Sequence, residues 1–234
     1  MDYDLFEQQL ARFVDYCREH LNFCIADMKY YSCLPLCALD AVFSVGAKYT
    51  GVSRTVDRFC KEFNILRQAK NPAKVPAKDE QFTVRQFLDK MNGPSPERLA
   101  DIVSNHQRTS KKNGILKTAA FMQWLDILEL YGIQTYQDFH KKWNDSNLER
   151  DLRTVRGQKS GISTDYFYML AGNISDVKVD RNIMAFACAA TGEDHLSSTT
   201  VKEFFKSAVK ELQADHPGLT VRHLNHIVWE YQRF

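Results

Sequence analysis

The chain has 234 residues, of which 44% are hydrophobic and 26% charged, with ten Gly and six Pro; this excludes a disordered, fibrous or low-complexity chain and suits one globular domain or two small packed ones. A formal charge of +2 is too mild to announce a nucleic-acid partner, so the distribution of charge has to carry that question. No run approaches the roughly 18 apolar residues of a membrane span, and the N-terminal stretch lacks the apolar core of a signal peptide, so no membrane partner and a cytoplasmic protein are expected.

Residues 3–20 place Leu5, Phe6, Leu10, Phe13, Val14 and Cys17 on one face of an amphipathic helix. The segment CLPLCALDAVFSVGAKY is apolar nearly all round, which predicts a central helix. GVSRTVDRFCKEFNIL predicts another, with Val56, Phe59, Cys60 and Phe63 inward, and QAKNPAKVPAKDEQ reads as an exposed connection. Thr83 with Gln86 forms a capping-box pattern that opens a helix closed by Gly93-Pro94, and Ser95-Pro96 starts the next. ILKTAAFMQWLDILELYG predicts a long helix ending at Gly132, TYQDFHKKW a short one, and NLERDLRTV a third. After the corner VRGQKSGIS come helices in TDYFYMLAG and RNIMAFACAATG, separated by an extended NISDVKVD. Thr200 with Glu203 is expected to cap the following helix, and Thr220 the last one. Alternation sustained enough for a sheet is missing, so the fold class is all-α, with about ten helices.

The corner spends two glycines, an arginine and a lysine on nine positions. A glycine-bearing turn between helices can aim several main-chain N–H groups outward, and the next helix adds the positive end of its dipole. With Arg156 and Lys159 beside them, a phosphate backbone is a sensible guest. Farther on, Asp180 precedes an apolar helix; such a residue caps the helix and, in a cleft, is also the anion that a positively charged, sugar-centred transition state needs. The stretch NHQRTSKKNGILK holds Arg108, Lys111, Lys112 and Lys117 with no acid.

LRTVRGQKSGISTDYFYMLAG followed by VKVDRNIMAFA resembles the hairpin and catalytic-Asp region of the helix-hairpin-helix DNA glycosylase superfamily, which includes endonuclease III. There the hairpin reads roughly L-P-G-x-G-x-K-T-A and the later segment V-D-T-H before an apolar helix. KKNGILKTAAFMQWLDILELYG and LPLCALDAVFSVGAKYTGVSRTVDRF match earlier family segments in order and spacing, so the resemblance runs from about residue 30 to about 192. It implies a two-lobed fold, with a central helical lobe at 30–150 and a second lobe of 1–29 plus 151–234 that carries the hairpin (151–172) and the catalytic-Asp segment.

Carried over, Gly157 falls on the first hairpin glycine, Lys159 on the second, and Gly161 where bifunctional members keep a lyase lysine. The resemblance therefore implies a monofunctional N-glycosylase acting on a base flipped out of duplex DNA, with Asp180 as the catalytic carboxylate. It implies backbone contacts from Arg156, Gly157, Lys159, Ser160, Gly161 and Lys117, and a groove or wedge loop of His106, Arg108, Lys111 and Lys112. Double-stranded DNA is the expected partner, met in the nucleoid of a bacterium or in a nucleus. The glutamines of the family's Ser-Gln-Gln loop are replaced by SVGAKYTG, and no cysteine cluster follows Cys188, so no iron–sulfur cluster and no other cofactor is expected.

Asp40, alone in an apolar helix, needs a partner such as an Arg or a helix N-terminus, or else a role in a base pocket with Tyr49 and Tyr166. Tyr30, Tyr31 and Tyr168 are further stacking faces. Cys17, Cys24, Cys33 and Cys37 lack the CxxC pairing of a zinc site, and His223, His226 and Glu230 lack a further ligand, so no metal is expected. Two other classes stay open: a catalytically inactive DNA-binding or repair-associated protein on the same scaffold, and an all-α protein-interaction module.

Overall fold

A computed structural model describes residues 3–25, 29–91 and 95–233. Twelve α-helices and one short 3₁₀ turn account for the regular structure among the described residues, and only two isolated β-bridges join extended segments, Tyr31 with Gln68 and Arg108 with Leu116. The all-α expectation holds, and no described helix is long and apolar enough to cross a membrane. By its contacts the chain divides into two compact units, Met28–Gly172 and the combination of Met1–Asp27 with Asn173–Phe234.

In the continuous unit, α2 (Leu34–Ser44) is the hub, with every side chain from Leu34 to Phe43 buried. An apolar circumference leaves such a helix no stable position except the middle of a core. It packs on α3 (Tyr49–Phe63), α6 (Lys117–Leu130) and α9 (Ile162–Leu170). Phe59 of α3 meets Phe87 of α4 (Val84–Lys90) at 5.2 Å and Phe121 of α6 at 5.8 Å. Each such buried ring contributes roughly 1.5–3 kcal/mol. The short α5 (Pro96–Ile102) starts at Ser95, whose side chain accepts from the Arg98 N–H, and packs on α6. The capping box at Thr83 and Gln86 forms with both of its bonds, whereas the stop expected at Gly93-Pro94 lies outside the described residues. The remaining helices of this unit are α7 (Tyr136–His140) and α8 (Ser146–Thr154).

The boundary between units falls at Gly172 rather than near 150. Leu148 and Leu152 of α8 and Phe167 of α9 are sealed into the α2–α6 core, with Phe167 5.6 Å from Trp124 and 4.9 Å from Phe139. The Trp124 indole N–H donates to the Leu152 carbonyl at 3.0 Å, tying α6 to α8. The hairpin segment thus belongs to the continuous unit and not with the terminal helices.

The other unit is built from α1 (Tyr3–His20), α10 (Arg181–Thr191), α11 (Ser198–Leu212) and α12 (Val221–Tyr231). Phe13 of α1 is fully buried between Phe186, Phe204 and Phe205, at 5.3–5.8 Å. Leu5, expected on the inner face, is exposed because it precedes the buried stripe of Leu10, Phe13, Val14 and Cys17. The cap of α11 is Ser197 rather than Thr200: its hydroxyl accepts from the Thr200 N–H at 3.0 Å, so the helix begins earlier. Thr220 caps α12 in a reciprocal box with His223.

Candidate nucleic-acid interface

The helices α8 and α9 are in contact and are joined by the corner 155–161. Two tight turns make it: the Gln158 N–H donates to the Val155 carbonyl at 2.9 Å, and the Gly161 N–H to the Gln158 carbonyl at 3.0 Å. Positive φ falls on Gly157 (91°) and Gly161 (79°), and Lys159 avoids it, so the cost of a left-handed lysine does not arise. Gln158 is buried, with its amide oxygen accepting from the Ser163 hydroxyl, which pins the corner to the first turn of α9. Because the N-cap of α9 is Gly161, no side chain caps that helix start. Gly161, Ser163 and Thr164 at that start are themselves buried. Arg156, Lys159 and Ser160 are exposed around it.

Gly161 also has a packing reason to be glycine: a Cβ there would lie 2.5 Å from an Nη of Arg153. That guanidinium bridges Glu149 of α8, at 2.7 Å, toward Asp165 of α9, at 3.8 Å. Gly161 thus belongs to the ion-paired crossing of the two helices.

The basic loop folds back on itself, with the Lys117 N–H donating to the Gln107 carbonyl at 2.8 Å and the Thr109 N–H to the Ile115 carbonyl at 2.9 Å. Arg108 braces the tip by donating to the Gly114 carbonyl at 2.7 Å. Lys111 and Lys112 project from the tip, exposed and unpaired among the described residues. His106 is exposed and hydrogen-bonded to Asp101 at 2.8 Å. This loop packs directly on the corner. A Cβ on Gly157 would lie 2.3 Å from the Thr109 Cβ, and an Nη of Arg156 reaches the Asn113 carbonyl at 3.5 Å. Two segments distant in sequence therefore form one cationic surface carrying Arg108, Lys111, Lys112, Arg156 and Lys159.

Lys117 is not part of that surface. Only 3% exposed, it donates to the Phe43 and Val45 carbonyls at 2.8 and 2.7 Å and to the Gln107 side-chain oxygen at 3.2 Å. All three ammonium hydrogens are used, two of them at the C-terminal end of α2, where the helix dipole favours a cation. Burial pushes its pKa down to about 8. Its expected phosphate contact is replaced by a structural one.

Asp40, Tyr49 and Tyr166 are brought together, as expected of one pocket. The Asp40 carboxylate accepts from the Tyr31 hydroxyl at 2.7 Å, from the Ser44 hydroxyl at 2.8 Å and from the Tyr166 hydroxyl at 3.5 Å. Three hydroxyls are thus among its partners, and Arg67 joins the same cluster through Tyr31 and Tyr49. Burial, and then the neighbouring carboxylate, hold the Tyr31 phenol well above its ordinary pKa; Tyr49 is raised by the same two causes, against the pull of Arg67. Arg67 itself is anchored on Asp57 at 2.7 Å and Ser53 at 2.9 Å. Tyr49 and Tyr166 are half-buried, so part of each ring faces solvent.

Asp180, in the other unit, is the N-cap of α10 and is half-buried. One of its oxygens accepts from the Asn182 and Ile183 N–H groups at 3.0 and 3.2 Å; the other makes no hydrogen bond among the described residues. No three metal-ligating side chains converge among the described residues. His226 and Glu230 approach to 3.8 Å without a further ligand.

Arg54 and Arg58 were not singled out by sequence. They line a cleft of about 490 Å3 between α3 and residues 104–107. The available signal was two arginines four apart on the polar face of α3.

No curated protein and no solved structure matches this chain. Residues 8–233 match the family described as a domain of unknown function, DUF8548, and the chain belongs to that family.

Proposed function

We propose that the protein is a DNA-binding, monofunctional N-glycosylase of helix-hairpin-helix type, hydrolysing the glycosidic bond of a damaged or modified base turned out of the duplex. The observation that carries this reading is the corner itself: positive-φ glycines at 157 and 161, an uncapped α9 start, and the basic loop packed against it. Backbone phosphates would rest on the exposed Arg156, Lys159 and Ser160 of the corner, with Lys111 and Lys112 at the tip of the loop entering the groove. Gly161, crowded by Arg153, leaves no lysine for Schiff-base chemistry, which supports hydrolysis over lyase action.

In this mechanism Asp180 stabilises the oxocarbenium-like sugar with its unbonded oxygen and orients the attacking water, while its other oxygen is held by two main-chain donors.

The test is abasic-site formation in a panel of duplexes bearing different lesions, with wild type and Asp180→Asn. Asparagine caps a helix about as well as aspartate, so the variant keeps its fold and loses only the charge. Base release by wild type that falls at least 100-fold in Asp180→Asn is the expected result. Duplex binding without release from any lesion would favour a non-catalytic DNA-binding protein, for which Asp180 needs no role beyond the cap it already makes.

A further inference from the structure

The cleft between α3 and residues 104–107 has a volume of about 490 Å3, within the roughly 300–1,000 Å3 of small-ligand sites. Its lining is entirely polar side chains and one glycine, with two guanidinium groups and no carboxylate. Such a wall suits an anion.

The donors are organised. Arg58 is fixed by an Nη that donates to the Val103 and Ser104 carbonyls at 3.2 and 3.3 Å, and its Nε and second Nη are not used in these bonds. Arg54, one turn earlier on α3, is exposed and unpaired among the described residues. Gln107 has its amide oxygen taken by Lys117 at 3.2 Å, which sets the orientation of its NH2 group. Asn105 ties the two walls together by donating to the Thr55 hydroxyl at 2.9 Å. Asp57 pairs with Arg67 at 2.7 Å, whereas Asp101 bonds to His106, itself part of the lining, at 2.8 Å. Arg54 and Arg58 themselves make no ion pair among the described residues.

We propose that this cleft is a phosphate-binding site, and that its phosphate is a phosphodiester of a polynucleotide strand. The second half rests on the DNA-binding reading above. It follows from continuity, because the wall at 104–107 runs directly into the basic loop that packs on the corner.

Arg54 is the residue to change, since it supports no other group, whereas removing Arg58 would release two carbonyls. The full-length chain, Arg54→Ala and Arg54→Lys are titrated with inorganic pyrophosphate, read by the amide NMR signals of residues 104–107. Each is also titrated with a short unmodified duplex across a range of salt. Saturable pyrophosphate shifts in wild type and Arg54→Lys, weakened in Arg54→Ala, are expected. For the duplex, Arg54→Ala should bind about 3- to 10-fold more weakly, with a salt slope lower by about 0.9, the value of one lost phosphate contact. A changed duplex slope without pyrophosphate binding still supports the polynucleotide. Pyrophosphate binding with an unchanged slope assigns the cleft to free phosphate and overturns the second half. If pyrophosphate saturates the site while wild type binds no duplex, the DNA reading fails and the phosphate site stands. Absence of shifts at 104–107 together with identical duplex slopes in wild type and Arg54→Ala overturns the proposal.

Discussion

Tyr31→Phe removes one oxygen from the closest donor to the buried Asp40 carboxylate while keeping the ring that packs beside it. A hydrogen bond to a charged acceptor contributes roughly 1.5–3 kcal/mol, and this one, at 2.7 Å in a site where Tyr31 is 8% exposed, belongs at the upper end. The expected loss at pH 7 is ~2–3 kcal/mol. The pH dependence follows from the raised Tyr31 pKa. Above pH ~10 the unfolded chain releases the phenolic proton and the folded one keeps it, so the folded state binds more protons and stability falls as pH rises. The wild-type advantage should be constant up to pH ~10 and shrink above it by about 1.4 kcal/mol per pH unit. Urea unfolding in a Trp229→Phe background, followed by the fluorescence of Trp124 and Trp143, reports on the continuous unit alone. An equal stability of the two proteins at pH 7, or a difference that stays flat from pH 7 to 11.5, would refute the assignment of Tyr31 as the principal donor to Asp40.

Lys117→Met should destabilise the continuous unit by ~2–4 kcal/mol at pH 7, because two α2-end carbonyls and the Gln107 oxygen lose a charged donor. With a folded pKa of about 8 and an unfolded one near 10.4, the wild-type chain is relieved of a buried charge as pH rises through that window. Its stability relative to the Met variant should then grow by about 3 kcal/mol, measurable in urea at pH 7.5 and 10.5. Gly157→Ala puts a Cβ 2.3 Å from that of Thr109 at a φ of 91°. It should cost ~2 kcal/mol or more, of which Thr109→Gly restores the steric part and leaves about 1 kcal/mol of backbone strain; restoration of all or none by thermal melts would contradict that division. Ser44→Ala, removing the second Asp40 donor, should cost about 1 kcal/mol, and Tyr166→Phe, at 3.5 Å, less than about 0.5 kcal/mol in the same urea assay.

Local signals were legible where a single helix decides its own fate. The apolar circumference of Leu34–Phe43, the box at Thr83 and Gln86, and the cap at Asp180 are short-range matters of periodicity and of which side chain reaches which N–H. The glycine corner was visible for the same reason, since positive φ favours glycine, as at Gly157 and Gly161. What the amino-acid order left open was long-range. Lys117 looks like its basic neighbours in a stretch without acids, yet it ends beneath α2, because only the packed fold brings the Phe43 and Val45 carbonyls to it. The partners of Asp40 come from positions 31, 44 and 166, and the arginines of α3 gain a cleft only when residues 104–107 close its other wall. Sequence alone determined the helices and the chemistry each can offer, because hydrogen bonds and dihedral preferences within a helix or turn span only a few residues. Tertiary structure decided which cations are spent on buried carbonyls and which face solvent, because desolvation is set by whatever distant segments pack around a charge.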